Sequence, residues 1–226
     1  MDEYTFYHIP RTSGKSFTRA TGITSTLHFP PSFAQTPRAK AITVLRNPSD
    51  RHFSEWLSYG QTLLGQYGRI LCPEYVDSLA QGGVVDQATF VASPLTQNSQ
   101  AKFLLGRQLY TSGEVSEADL APLFARIEAG TLLPCVFEQL PTEYTSPDPN
   151  SRRGYMMRFM GGPMGARTNS SRGPSPIPIE ANAVDQLLYD TVTTKYAAQV
   201  AAAHATLLAW MSLRSPPDPA DPTASA

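Results

Sequence analysis

Tyr4-Thr5-Phe6-Tyr7-His8-Ile9-Pro10-Arg11-Thr12-Ser13-Gly14-Lys15-Ser16-Phe17 is the stretch that decides the fold class. Its apolar first half reads as a strand. Pro10 breaks it into a loop of hydroxyls, cations and glycine, and the residues from Gly14 onward open a helix. A strand, a glycine-containing loop and a helix N-terminus in succession are how α/β proteins hold phosphate. Backbone N–H groups converge on the anion and the helix dipole adds favourable potential. A phosphate-bearing ligand is therefore expected. Gly14-Lys15-Ser16 also invites comparison with the nucleotide P-loop, G-x-x-x-x-G-K-(S/T). The first glycine of that pattern falls on Ile9, with Pro10 after it, so only a bare G-K-S is left. An ATP-dependent kinase using Gly14-Lys15-Ser16 is thus the alternative reading.

The second informative stretch is Ala41-Ile42-Thr43-Val44-Leu45, a β-branched apolar run of the kind buried in parallel sheets. It runs into Arg46-Asn47-Pro48-Ser49-Asp50-Arg51-His52-Phe53-Ser54-Glu55-Trp56. Pro48 stops the strand, and Asp50 is a helix N-cap by residue type. Phe53, Trp56, Leu57, Leu63 and Leu64 recur at helical spacing. They predict a helix over about 50–64 with one apolar face, leaving Arg51 and Ser54 together on another.

Two loops of this composition, each after a short strand, resemble the phosphate-binding segments of sulfotransferases that use 3′-phosphoadenosine-5′-phosphosulfate (PAPS). Phe6, His8, Ile9, Pro10, Thr12, Gly14 and Ser16 match F-x-H-I-P-K-T-G-G-T-S, the loop for the 5′-phosphosulfate. Arg11 stands for the usual lysine, Ser13 for the first glycine and Lys15 for threonine. Arg46 to Ser54 resembles R-(D/N)-P-x-x-R-x-x-S, whose arginine and serine meet the 3′-phosphate. Three later segments resemble the branch containing the heparan-sulfate 2-O- and 6-O-sulfotransferases. Asn98, Gln100, Lys102 and Gly106 match N-x-Q-x-(R/K)-x-L-x-G, and Val136-Phe137-Glu138-Gln139-Leu140 matches a late strand with its glutamate. Arg167 to Arg172, with the helix around Asp185 and Leu188-Tyr189, matches the C-terminal loop and helix. The resemblance implies an α/β, three-layer, P-loop-like sulfotransferase fold with a small parallel sheet flanked by helices.

The 226 residues suit one domain over 1–213, with a disordered tail at 214–226. A formal net charge of −1 argues against a nucleic-acid partner. No apolar run reaches the ~20 residues of a membrane span. The acidic N-terminus does not read as a signal peptide, so a cytoplasmic location is expected. Cys72 and Cys135 are read as free buried thiols. Further strands are expected near 4–9 and 133–137, and helices near 14–21, 74–81, 97–106 and 117–129, the last opened by Ser116 with Asp119 three residues on. Residues 142–178, rich in Pro, Gly, Ser and Arg, read as a long loop and a candidate lid. Val184, Leu188, Val192, Tyr196 and Val200 predict one long amphipathic helix reaching toward Leu213.

The resemblance also implies the chemistry. Sulfuryl transfer places growing charge on the leaving phosphate, and cationic donors stabilise it. Arg11 occupies the position of the catalytic lysine, with Lys15 assisting. Thr12, Ser13, Gly14, Ser16 and Phe17 complete the cofactor loop, Arg46 and Ser54 take the 3′-phosphate, and Ser170, Ser171 and Arg172 close over that phosphate or the adenine. His28, in Thr26-Leu27-His28-Phe29-Pro30, matches the placement of the branch's general base, and a histidine suits that task near neutral pH. Glutamate is the base in other branches, which keeps Glu55 and Glu138 as candidates, although Glu55 reads as a solvated or arginine-paired carboxylate. His8 reads as a residue shaping the loop, His52 as a surface residue, and His204 as part of the C-terminal helix. Scattered histidines and two distant cysteines do not form a metal site, and none is required. The function implied is O-sulfation of a saccharide or small-molecule acceptor, releasing 3′-phosphoadenosine 5′-phosphate (PAP). The non-enzymatic alternative is a degenerate member that binds nucleotide without transfer.

Overall fold

A computed structural model describes residues 4–10, 12, 40–56, 87–110, 113–139 and 179–214, the last five as backbone only. The expected helices at 14–21 and 74–81, the loop at 142–178, residues 215–226 of the tail and Cys72 lie outside these residues, while Arg214, assigned to the tail, is helical. The protein is α/β, built on a three-stranded parallel sheet in the order β1-β2-β3. The strands are β1 (Tyr4–Tyr7), β2 (Lys40–Leu45) and β3 (Leu132–Val136). Tyr7 pairs with Thr43 at one end of the β1–β2 ladder, and Leu45 with Val136 at the end of β2–β3. All three strands therefore finish on one edge.

The central strand is sealed on both faces, as its unbroken apolar run requires. Ala41 and Leu45 join Tyr7, Leu132 and Val136 in the main core, while Ile42 and Val44 are equally buried on the alternate side. Thr43, the one hydroxyl in the run, donates to the Tyr7 carbonyl at 3.0 Å, so its polarity is satisfied inside the sheet. Cys135 is a free thiol as expected, and burial pushes its pKa up to about 12, leaving it unreactive.

Six α-helices are described: α1 (Pro48–Glu55), α2 (Gln87–Ala92), α3 (Ser99–Leu104), α4 (Ala121–Glu128), α5 (Ala183–Thr194) and α6 (Ala197–Arg214). Both α4 and α6 pack on β3. A 3₁₀ turn, Glu117–Leu120, leads into α4, and Asp119 Oδ2 accepts the Ser116 N–H at 2.8 Å, the reach-back half of a capping box. Gly106 ends α3 with φ +73°, where the Arg107 N–H reaches the Lys102 carbonyl at 2.8 Å and the Gly106 N–H reaches Phe103 at 3.0 Å. That is a Schellman closure, and the positive φ is why glycine stands there.

Several expectations need correction. The N-cap of α1 is Asn47, not Asp50: the Asn47 side chain accepts the Asp50 N–H at 3.2 Å, and Pro48 fills the first helical position. The expected helix beyond Trp56, with Leu57, Leu63 and Leu64, lies outside the described residues, and the polar face of α1 is buried where it was expected exposed. Phe53 and Trp56 are only partly buried, whereas Arg51, His52, Ser54 and Glu55 are buried. The expected long C-terminal helix is two, α5 and α6, separated at Lys195 and Tyr196. The Tyr196 N–H reaches back to Thr191 across the break, and Tyr196 stays buried in the same apolar stripe. Helix α2, which supplies the buried Phe90, was not among the expected elements.

Candidate functional site

The C-terminal edge of a parallel sheet is where open α/β folds bind ligands, because strands end there and helices begin. On this edge the chain leaves β1 through His8, Ile9 and Pro10, leaves β2 through Arg46 and Asn47, and leaves β3 through Phe137 and Glu138. The β1 exit turns at once. The Ile9 N–H bonds the Tyr7 carbonyl at 3.1 Å, and Thr12 Oγ1 donates to the Ile9 carbonyl at 2.9 Å. Thr12 is buried, its hydroxyl serving the turn. His8 is buried and stacked on Phe6 at 5.6 Å, in keeping with a residue that shapes the loop.

Arg46 is the first residue past the β2–β3 ladder. Its backbone is taken by the side chain of Gln100: the Arg46 N–H donates to Gln100 Oε1 at 3.0 Å, and Gln100 Nε2 donates to the Arg46 carbonyl at 2.9 Å. The next N–H, of Asn47, donates to Glu138 Oε1 at 2.9 Å. The Arg46 guanidinium lies over the Phe137 ring, 5.1 Å from its centre, an arrangement in which ring and cation attract. The second Glu138 oxygen accepts the Tyr189 hydroxyl at 3.0 Å. Burial raises the Glu138 carboxyl above its ordinary range, opposed by the Asn47 N–H, the Tyr189 hydroxyl and Arg46. With each oxygen engaged by a donor, Glu138 braces the Arg46–Asn47 turn.

Inside this edge sits a closed ionic network. Arg51, fully buried, bonds Glu55 Oε2 at 2.9 Å through Nη2 and donates from Nη1 to the Pro10 carbonyl at 3.4 Å. Tyr110 donates its hydroxyl to the other Glu55 oxygen at 2.7 Å. Burial works against the Arg51 charge, but Glu55 and Asp185 outweigh it and hold the guanidinium protonated. Glu55 is thus arginine-paired, as one of its two expectations held, and enclosed rather than solvated. Both of its oxygens are engaged inside the network. Tyr110 holds φ +59°, a costly conformation for an aromatic residue, and the buried hydroxyl bond it delivers accompanies that strain.

His52, expected on the surface, is fully buried against Phe90. Its Nδ1 faces the Asn182 side-chain amide at 2.7 Å, and its Nε2 faces Thr96 Oγ1 at 3.1 Å. Thr96 spends its hydroxyl proton on the carbonyls of Phe90 and Ser93. The neutral ring with hydrogen on Nε2 therefore satisfies every partner. Burial, with Arg51 adding to it against the pull of Glu55, lowers the His52 pKa to about 4.

Of the residues expected to meet phosphate, Thr12, Arg46 and Ser54 are described; Arg46 and Ser54 are 7% and 5% exposed. Arg11, Ser13, Gly14, Lys15, Ser16, Phe17, His28, Ser170, Ser171 and Arg172 lie outside the described residues. The structure joins the β1 exit to α1 through the Arg51–Pro10 bond, so the two candidate phosphate segments share one edge. Sequence reasoning left Gln100 without a role and set Arg51 on the wrong face. The i,i+4 spacing of Arg51 and Glu55 was the available sign of their pairing.

Among the described residues, no group of three or more His, Cys, Asp and Glu could hold a metal ion, and no helix is long and apolar enough to cross a membrane. No protein-family model, curated protein or solved structure matches the chain.

Proposed function

We propose that the protein is a PAPS-dependent sulfotransferase of P-loop-like fold, transferring the sulfuryl group to a hydroxyl of a saccharide or small-molecule acceptor in the cytoplasm. The observation that carries this reading is the adjacency of the two loop segments. β1 and β2 are parallel neighbours, so the loop beginning His8-Ile9-Pro10 and the turn Arg46-Asn47-Pro48 leave the sheet side by side. A nucleotide with phosphates at both its 5′ and 3′ positions needs two anion sites a ribose apart, and one sheet edge supplies the frame for them. Arginine offers the planar fork suited to a phosphate dianion.

In this reading Arg46 and Ser54 hold the 3′-phosphate, with Ser170, Ser171 and Arg172 closing on it. Thr12, Ser13, Gly14, Ser16 and Phe17 belong to the 5′ loop. His28 takes the acceptor's hydroxyl proton as that oxygen bonds to sulfur and the bond from sulfur to the 5′-phosphate oxygen breaks. The charge left on PAP is met by Arg11 and Lys15. A guanidinium does not give up a proton at ordinary pH, so Arg11 acts by charge alone.

Calorimetric titration with PAP, AMP and ATP–Mg²⁺ tests the reading. PAP binding in the micromolar range, about −8 kcal/mol, should depend on the 3′-phosphate and be lost in Arg46→Ala. Preference for ATP–Mg²⁺ overturns it in favour of the kinase. PAP binding without sulfate transfer from labelled PAPS to any hydroxyl acceptor, restored by Arg11→Lys, identifies a degenerate member.

A further inference from the structure

Arg46 stands where a strand has run out of partners, yet neither of its backbone groups is left to solvent. The side chain of Gln100 takes both, at 3.0 Å and 2.9 Å, as a neighbouring strand would. Few side chains can do this: the task needs a donor and an acceptor in one plane, which a primary amide provides and a carboxylate or thioether does not. Gln100 is itself fully buried and held from behind. Asp185 Oδ2 accepts the Gln100 N–H at 3.0 Å, and Oδ1 accepts the Ala101 N–H at 2.7 Å. A chain of contacts thus runs from α5, through the first turn of α3, to the arginine at the end of β2.

The geometry points to Gln100 as the positioning residue for Arg46, an inference that rests on the 3′-phosphate role just proposed. Gln100 does not reach the ligand. It fixes the Cα of Arg46 and the direction in which the side chain leaves the backbone, while Glu138 fixes the following peptide and Phe137 supports the guanidinium. A bidentate phosphate contact depends on that direction, and a displacement near 1 Å can cost about 100-fold where geometry is the source of the effect. Gln100 therefore governs discrimination for the 3′-phosphate and leaves recognition of the rest of the nucleotide unchanged.

The readout is the ratio of PAP affinity to AMP affinity, measured by calorimetry on the full chain. Gln100→Met keeps the length and loses both hydrogen bonds, and Gln100→Asn keeps the amide but falls one methylene short. Each should lower the ratio by about 10- to 100-fold, with AMP affinity unchanged. Leu123→Ala, a core truncation on α4, serves as a control for lost stability and should keep the wild-type ratio. Should Gln100→Met fail to fold, Gln100→Asn decides. If both nucleotides weaken in parallel, or the ratio holds, Gln100 is structural only and the inference is overturned. If the wild type itself binds PAP and AMP equally, the 3′-phosphate reading falls, and this inference with it. Discrimination in the wild type, lost in Arg46→Ala and kept in both Gln100 variants, overturns only the inference.

Discussion

Two arginines five positions apart on one segment meet opposite fates. Arg51 is enclosed, its charge matched by Glu55 and Asp185 and one of its nitrogens tied to the Pro10 carbonyl. Arg46 stands at the end of its strand, 7% exposed, where Gln100 engages its backbone and its guanidinium rests on Phe137. The difference shows how an ionic group becomes architecture: the protein closes a counter-charge around it. At Arg46 an amide side chain holds the backbone and an aromatic ring carries the guanidinium.

The contrast can be broken most directly at Glu55. Removing one member of a buried pair leaves the other charged in the interior. Glu55→Ala strips Arg51 of its bonded carboxylate and Tyr110 of its acceptor, so unfolding in urea should show a loss of about 3–5 kcal/mol. A loss below 1 kcal/mol would mean that Arg51 is no more integral than a surface charge.

Acid probes the same interior. Because the His52 pKa lies near 4 in the folded protein and at 6.5 as the ordinary value, the unfolded chain binds the extra proton between them. Stability from this residue is fully present above pH 6.5 and is lost as pH falls toward 4. At about 1.4 kcal/mol per unit, the total is about 3 kcal/mol. Denaturant midpoints followed across that window should fall, and the slope should flatten in His52→Gln. An unchanged slope in the variant would assign the acid sensitivity to other groups.

The smallest effect on stability is expected at Arg46 itself. Arg46→Ala forfeits the contact with Phe137, worth about 0.5–1 kcal/mol, and the packing of a buried stem, while Gln100 continues to hold its backbone and Glu138 the following N–H. The thermal midpoint should move by a few degrees at most, far less than nucleotide binding changes. A collapse comparable to that of Glu55→Ala would erase the distinction between the two arginines.

What the sequence revealed follows from which signals are local. β2 was readable because a β-branched run stopped by Arg46-Asn47-Pro48 carries its own start and end. Helix α1 was placed but the burial of its polar face was missed, since the partners that bury Arg51, His52 and Glu55 come from Pro10, Tyr110 and Asn182, the last 130 residues away. The break between α5 and α6 was hidden because Tyr196 keeps the apolar stripe continuous across it. At the site, Arg46 stood out by its context, while Gln100 reaches it from 54 residues away through contacts that no periodicity records. The six residues of α2 are too few for a full apolar repeat.

One exchange makes two distant helix starts depend on each other. Asn98, in the left-handed region at φ +51°, accepts the N–H groups of Val184 and Asp185 at 3.1 Å each, and Asp185 returns the service to Gln100 and Ala101. Each helix start is completed by the other, across a separation of 85 residues. A six-residue helix such as α3 does not persist alone in water. Its persistence therefore depends on closing that long loop, a non-local contact with an entropic cost. The turn that carries Gln100 cannot open without releasing the start of α5.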